Sequence, residues 1–380
     1  MVLRDYWIER VEKLWSLRSI VWLTGVRRVG KTCLTVSLPD IEYFDCDELA
    51  VRTALRDPMP FLASLRGKRV VLDEIHRLDD PTGVLKNAAD HYPDVKIVAT
   101  GSSRISAARK FRDSLTGRKY ELQVRPLVLP DLVPFGDPDL RHRLAAGGLP
   151  EHFLAAQPDA AFREWLDSYW AKDIQELFPV DQYGPFRRFV EVLLADSGGM
   201  FEASRFATAC ELSRPTITKY LGILEATHVA TVVRPFTTRR AAEIVAAPRV
   251  YGFDTGFVVH YRGWRELRDV DIGILWEHFV LNELMTRLDL DRIHYWRDKR
   301  GHEVDFIIAR PGRDPIAVEC KWSRARAHEL GGVAAFRRAY PGGDNFVVTS
   351  ERTGPLPVSG AGVRALALSL GELVASIAST

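Results

Sequence analysis

Residues Gly25 to Thr32 read GVRRVGKT and satisfy the spacing G-x-x-x-x-G-K-[ST]. The apolar run IVWLT precedes them and TCLTVSL follows before Pro39. The motif therefore falls between a buried strand and a helix start, where backbone N–H groups converge on an oxyanion. Gly30 permits close approach of backbone to phosphate, Lys31 reaches toward β- and γ-phosphates, and the Thr32 hydroxyl is the expected magnesium ligand. The expected nucleotide cradle is Gly25, Val26, Arg27, Arg28, Val29, Gly30, Lys31, Thr32 and Cys33, with ATP and Mg2+ as cofactors. A second run, RVVLDEI, is an apolar strand ending in two acids. Asp73 is expected to support magnesium through its water shell, and Glu74 to orient and polarise the attacking water. A third strand, VKIVATGSS, ends in Thr100, Gly101, Ser102 and Ser103. A polar residue there, with Ser102 as the candidate, would sense the γ-phosphate; a simple turn is the competing reading.

A separate acidic constellation lies in LWEHFVLNEL, GHEVDFII and IAVECKWS. Strand alternation puts Glu303 and Asp305 on one face and Glu319 and Lys321 on one face, with Val304, Phe306, Val318 and Cys320 on the opposite apolar face. A D…ExK set is the chemistry of metal-dependent phosphodiester cleavage: Asp305 and Glu319 hold magnesium, and Lys321 stabilises charge or positions water. Glu277 on the preceding helix would complete the metal site. Glu283 suits it less, because six helical residues turn it off that face. Cys320 reads as a small buried hydrophobe.

These groups need several elements to position them, and 380 residues exceed one core. Composition is that of a globular protein, 46% hydrophobic and 27% charged. The 52 Lys+Arg against 50 Asp+Glu leave only +2, which excludes nucleic-acid coating by bulk charge and directs attention to local basic surfaces. Cys33, Cys46, Cys210 and Cys320 form no CxxC pair, and no apolar run approaches a membrane span, so the expectation is a cytoplasmic protein with no membrane contact. The N-terminal stretch reads as an amphipathic helix. The first third alternates strands and helices as a parallel α/β sheet requires, with strands expected at Ile20–Thr24, Glu42–Asp45, Arg69–Asp73 and Val95–Thr100. The boundaries read as an α/β nucleotide-binding domain over 1–135, a helical lid or linker over 136–184, a helix-turn-helix unit with a wing over 185–254, and a C-terminal α/β domain over 255–380.

Within the third unit, Ser213 is the expected N-cap before Pro215. Ile217, Leu221 and Leu224 should face the core, while Arg214, Thr216, Thr218 and Lys219 line an outer face fit for a major groove. Arg239 and Arg240 fall at the wing tip, where phosphates would lie. Arg324, Arg326, Arg337 and Arg338 either meet nucleic-acid phosphate or form a salt-bridged surface.

The ordered set GVRRVGKT, LDEIHRL, ATGSSRIS, LTGRKYEL and AAGGLPEHF resembles the prokaryotic AAA-type ATPases that carry a C-terminal domain of unknown function. The resemblance spans most of the chain. It implies a P-loop NTPase domain, a winged-helix segment and a restriction-endonuclease-like C-terminal domain. In that pattern Arg118 is a candidate γ-phosphate or inter-subunit arginine, with a surface salt bridge as its alternative. The helix Glu, strand Asp and ExK order likewise resembles the restriction-endonuclease-like superfamily. Two functions stay open: an ATP-regulated enzyme that binds or cuts DNA, and a nucleotide-dependent switch that docks a protein and cuts nothing. An ATP-driven remodeller of proteins is disfavoured, since no substrate-threading loop is identifiable. The oligomeric state also stays open.

Overall fold

The computed structural model describes residues 2–101, 115–136, 139–155, 158–175, 178, 180, 182–237, 247–351 and 354–378. Five strands, β1 (Ile20–Thr24), β2 (Ile41–Asp45), β3 (Arg69–Asp73), β4 (Lys96–Thr100) and β5 (Lys119–Gln123), form a parallel sheet in the order β2-β3-β4-β1-β5. The parallel α/β expectation and its four strands hold to within a residue at β2 and β4. β1 is buried along its whole length, as a strand covered on both faces must be. The apolar-run criterion passes over β5, because Lys119, Glu121 and Gln123 are polar, yet it pairs with β1 throughout. β4 separates β1 from β3, with Leu23 opposite Thr100 and Leu72 opposite Ala99. The C-terminal ends of three strands thereby bring Thr24, Thr100 and Asp73 to one edge.

The N-terminal helix Asp5–Leu17 buries Trp7, Val11 and Trp15. Just before it, the buried Arg4 pairs with Asp131 at 2.6 Å and donates to the carbonyls of Val29 and Arg125, both at 2.9 Å. Asp131 also accepts from Trp7 Nε1 and the Val128 N–H, so this buried ion pair is hydrogen-bonded on both sides.

The middle of the chain is helical. The helix Pro158–Tyr169 carries Trp165, fully buried and stacked on Tyr169 and Phe253 with ring centroids 5.1 and 4.8 Å apart. The helices Tyr183–Ala195, Ala203–Cys210 and Arg214–Ala226 follow. One apolar core runs from Trp7 and Val21 through Trp165 and Phe189 to Leu224, so the first sheet and the middle helices fold against each other. In AAGGLPEHF, the Gly148 N–H donates to Asp254 at 2.6 Å, which ties the motif to the far end of the middle segment.

A second sheet of nine strands has the order β13-β14-β12-β11-β10-β9-β7-β8-β6. Its members are β6 (Gly199–Met200), β7 (Ala230–Pro235), β8 (Arg249–Gly252), β9 (Ile293–Arg297), β10 (Glu303–Arg310), β11 (Arg313–Lys321), β12 (Asn345–Thr349), β13 (Leu356–Gly360) and β14 (Val363–Ser369). β7 pairs with β9 at Arg234 and Pro235, and the Phe236 N–H donates to the Tyr295 carbonyl, which stitches the β7–β8 pair to the C-terminal strands. Separate apolar cores cover the two faces of the C-terminal strands, and the helix Asp269–Leu284 packs on one of them. Strict alternation fails in β10. A bulge against β9 between Val304 and Ile307 sends Val304 into one core and Phe306 into the other, correcting the expectation that they share a face.

Candidate functional site

The phosphate loop turns sharply out of β1. Gly25 has φ +141°, and a Cβ there would lie 2.5 Å from the Val124 carbonyl oxygen, so only glycine fits. Gly30, at φ 95°, caps the helix Lys31–Val36 in the left-handed conformation. Val26 and Val29 bury their side chains and anchor the loop, while Cys33 is exposed at its mouth. Lys31 Nζ donates to the carbonyls of Gly25 and Val26 at 2.9 and 3.1 Å, within its own loop. Burial lowers its pKa, against the nearby charges of Glu74 and Asp173.

Asp73 ends β3 beside the loop and accepts three hydroxyl hydrogen bonds, from Thr32 at 3.3 Å, from Tyr43 and from Thr100. Glu74 follows at φ 51°, a strained conformation for a non-glycine residue. Its N–H donates to Thr100 Oγ1 at 3.0 Å, and its carboxylate lies 3.0 Å from His76 Nδ1. That hydrogen bond outweighs burial and lowers the Glu74 pKa. Thr32 thus contacts Asp73, and Lys31, Thr32 and Glu74 line one cavity. Tyr43 and His76 were not legible as site residues; the one signal for Tyr43 is its place on β2, whose Asp45 registers with Asp73. Ser102 and Ser103 lie outside the described residues.

The middle segment roofs the loop. A cavity of about 620 Å³ is lined by Gly25, Gly30, Lys31, Thr32 and Glu74 below and by Pro150, Tyr169, Lys172, Asp173 and Thr227 above. Trp165 Nε1 donates to the Arg27 carbonyl at 3.0 Å. The Arg27 side chain pairs with Asp173 at 2.6 Å, and Arg28 pairs with Glu164 at 2.5 Å and Glu151 at 3.4 Å. Both loop arginines therefore have carboxylate partners on the roof. Tyr169 Oη lies 2.6 Å from Thr227 Oγ1, which in turn donates to the Ile223 carbonyl at the end of the helix Arg214–Ala226.

Arg118 belongs elsewhere. It precedes the N-terminal end of β5, whereas the phosphate loop follows the C-terminal end of β1, and in a parallel sheet these are opposite edges. It forms a two-pronged ion pair with Asp90 at 2.6 and 3.1 Å. The nucleotide-binding assignment within its own subunit is thereby corrected to the surface salt bridge.

In the C-terminal sheet Glu277, Asp305, Glu319 and Lys321 are close enough to perturb one another. The pairing of β10 with β11 ends at Phe306 and Val318, and beyond it the Cys320 N–H donates to Asp305 at 2.7 Å. Lys321 donates to Glu319 at 2.9 Å. Glu277 accepts from Tyr251 at 2.5 Å and from Arg249 at 2.8 Å, and Arg249 also pairs with Glu303. Arg249 and Tyr251, on β8, are far from the acids in sequence and nothing in the motifs flagged them. Among the described residues no three His, Cys, Asp or Glu side chains converge to hold a metal ion, and Glu277, Asp305 and Glu319 each have an N–H, hydroxyl or cationic partner. Burial, then the Asp305 charge, pushes the Glu277 carboxyl up to about 7 and the Glu319 carboxyl up to about 8. Lys321 offsets this only in part, because it contacts one Glu319 oxygen and is shared with Glu329, while the other oxygen is buried without a partner. Glu283 is buried elsewhere, accepting from the Leu129 N–H and Arg287.

On the helix Arg214–Ala226 Ser213 accepts from the Thr216 N–H at 3.2 Å, and Ile217, Leu221 and Leu224 are buried. Arg214, Thr218 and Lys219 are exposed and Thr216 is half-buried. Arg239 and Arg240 lie outside the described residues. Arg326 pairs with Glu329, and Arg337 is buried as a donor to Asn345 and to the carbonyls of Pro315 and Asp344, which removes it from any phosphate-facing role. Arg338 is exposed.

Comparison with known proteins divides the chain in three. Residues 17–133 match the family described as AAA domain, 137–268 match Domain of unknown function (DUF8612), and 272–368 match Domain of unknown function (DUF4143). An uncharacterized protein of Mycobacterium tuberculosis is 27% identical over 324 residues, covering 82% of this chain and 72% of its own. One of Mycobacterium bovis matches to the same extent. Among solved structures, the Walker-type ATPase of Pyrococcus abyssi covers 69% of this chain and 96% of its own at 16% identity and TM-score 0.44. A DNA polymerase III gamma subunit-related protein of Thermotoga maritima covers 59% and 97% at 11% identity and TM-score 0.27. The N-terminal third is an AAA-type P-loop ATPase domain built on the five-stranded parallel sheet. No described helix is long and apolar enough to cross a membrane.

The buried acids give a pH signature. A carboxyl raised from its ordinary 4.5 to about 8 contributes stability that is fully present below 4.5 and lost as pH rises through 8. Chemical denaturation of wild type and Glu319→Gln across pH 4.5 to 9 is expected to show wild type losing stability relative to the variant toward high pH. Parallel profiles count against the burial of an uncompensated Glu319.

Proposed function

We propose that the chain is a cytoplasmic, magnesium-dependent ATPase whose nucleotide state is relayed to a DNA-binding winged helix. The observation that carries the ATPase reading is the meeting of Lys31, Thr32, Asp73 and Glu74 at one sheet edge. The Thr32 hydroxyl and the Asp73 carboxylate suit a hard cation that retains waters, so these two residues would hold magnesium. Bound magnesium neutralises phosphate charge. Lys31 exchanges its loop carbonyls for phosphate oxygens. Glu74, ionised and oriented by His76 and Thr100, orients and polarises the attacking water. The roof supports the relay, because Tyr169 in the nucleotide cavity contacts Thr227 at the end of the helix that presents Arg214 and Lys219.

A second reading concerns the C-terminal unit, taken as restriction-endonuclease-like. Glu277, Asp305, Glu319 and Lys321 lie near one another, which supports phosphodiester cleavage in which Asp305, Glu319 and Glu277 would hold magnesium and Lys321 would position water, although the three acids as they stand do not converge on one cation site. Cleavage then requires Arg249 to leave Glu277. If Arg249 stays, the unit is a docking platform that cuts nothing, as the switch reading has it.

Three measurements test these roles. Phosphate release should vanish in Lys31→Ala with loss of nucleotide binding, whereas Glu74→Gln should retain binding and lose about 10²-fold or more in turnover. Unchanged turnover in Lys31→Ala sinks the assignment. Duplex-DNA affinity measured across a salt series should weaken in Arg214→Ala with Lys219→Ala, with the log–log slope falling by about 2; an unaltered slope makes that helix a packing element. Plasmid incubated with magnesium or manganese, with and without ATP, should be nicked by wild type, faster by Arg249→Ala, and not at all by Asp305→Ala. Intact plasmid throughout selects the docking platform.

A further inference from the structure

A second cavity, of about 370 Å³, lies where the three matched stretches meet, and it shares no lining residue with the nucleotide cavity. Its volume falls within the range of small-molecule sites. Trp7, Val232 and Leu288 provide apolar wall. Arg125, two residues beyond β5, enters it while only 4% exposed. The Arg125 guanidinium donates to Gln123 Oε1 at 2.7 Å, its Nε has no partner, and no ion pair neutralises it among the described residues. Arg4 grips this residue by its backbone carbonyl, so the fold fixes the main chain and leaves the side chain uncompensated. His228 lines the same cavity with its Nε2 also unpartnered.

A buried guanidinium without a counter-charge is costly, and an apolar residue of similar size in its place is commonly neutral or stabilising. Stability therefore does not explain Arg125, whereas an anionic ligand does. We propose that this cavity binds a small ligand bearing one oxyanion, a carboxylate or a phosphate monoester, whose anionic group pairs with Arg125 and accepts from His228 Nε2. The other charges on the wall nearly cancel, Arg10 and Arg287 against Glu121, Glu225 and Asp289, which fits one oxyanion at Arg125 better than a polyanion such as a nucleic-acid strand or a second nucleoside triphosphate. His228 directly follows Thr227, the roof residue of the nucleotide cavity. One turn thus separates the two cavities, and a ligand in either touches the end of the helix Arg214–Ala226.

Calorimetric titration of the full chain carrying Lys31→Ala, which weakens anion capture by the phosphate loop, tests this with inorganic phosphate in one arm and acetate in the other. One of the two anions is expected to bind, and to bind at least tenfold more weakly once Arg125→Met is added. Binding of phosphate alone identifies the ester, and binding of acetate alone the carboxylate. Arg125→Met without ligand should melt at or above the parent temperature. His228→Asn, tolerated at that left-handed position (φ 62°), should weaken the same anion by a smaller factor and decides the matter if Arg125→Met fails to fold. Absence of binding by both anions, or affinity indifferent to both substitutions, overturns the proposal. A fall in melting temperature for Arg125→Met with anion affinity unchanged does so too, by assigning Arg125 to the fold.

Discussion

The Trp165 indole donates its N–H to the Arg27 carbonyl, and the tryptophan is itself immobilised between Tyr169 and Phe253. A phosphate loop binds by backbone N–H groups, so its function depends on main-chain geometry more than on side chains. Here that geometry is fixed from several directions. β1 sets its start, Arg4 holds the Val29 carbonyl, and the roof holds Arg27 through Trp165 and Asp173. The roof contacts the loop at these points, and its far side continues through Tyr169 and Thr227 into the helix Arg214–Ala226. The shared apolar core makes this a packed connection rather than a hinge.

The two acidic regions differ in what neutralises them. Asp73 is surrounded by the hydroxyls of Thr32, Tyr43 and Thr100, neutral donors that leave its charge available to a cation. The strand order explains the arrangement, since β4 between β1 and β3 delivers Thr100 to Asp73 and to the Glu74 N–H together. In the C-terminal sheet Arg249 and Lys321 already supply positive charge to Glu277, Glu303 and Glu319. A cation there would have to displace these partners, whereas at Asp73 it would displace only neutral hydroxyl donors.

The parts legible in the sequence were those encoded by local spacing. GVRRVGKT and LDE located Lys31, Thr32, Asp73 and Glu74, capping chemistry located Ser213, and helical spacing located the buried face of the following helix. The missed parts depend on distant residues: Tyr43 reaches Asp73 from β2, Arg249 reaches Glu277 from β8, and Trp165 reaches Arg27 across 138 positions. Arg118 stood in a motif beside a glycine turn, but only the parallel direction of β5 shows which edge of the sheet it occupies. The bulge in β10 was likewise invisible, because alternation assumes an unbroken ladder.

Coupling between the nucleotide cavity and the helix Arg214–Ala226 is the centre of this account, and amide hydrogen exchange reads it directly. With a non-hydrolysable ATP analogue and magnesium bound, slowed exchange is expected in the phosphate loop and also across residues 214–228, at the end of which Thr227 contacts Tyr169. Protection confined to the loop, with residues 214–228 exchanging as they do without nucleotide, contradicts the relay.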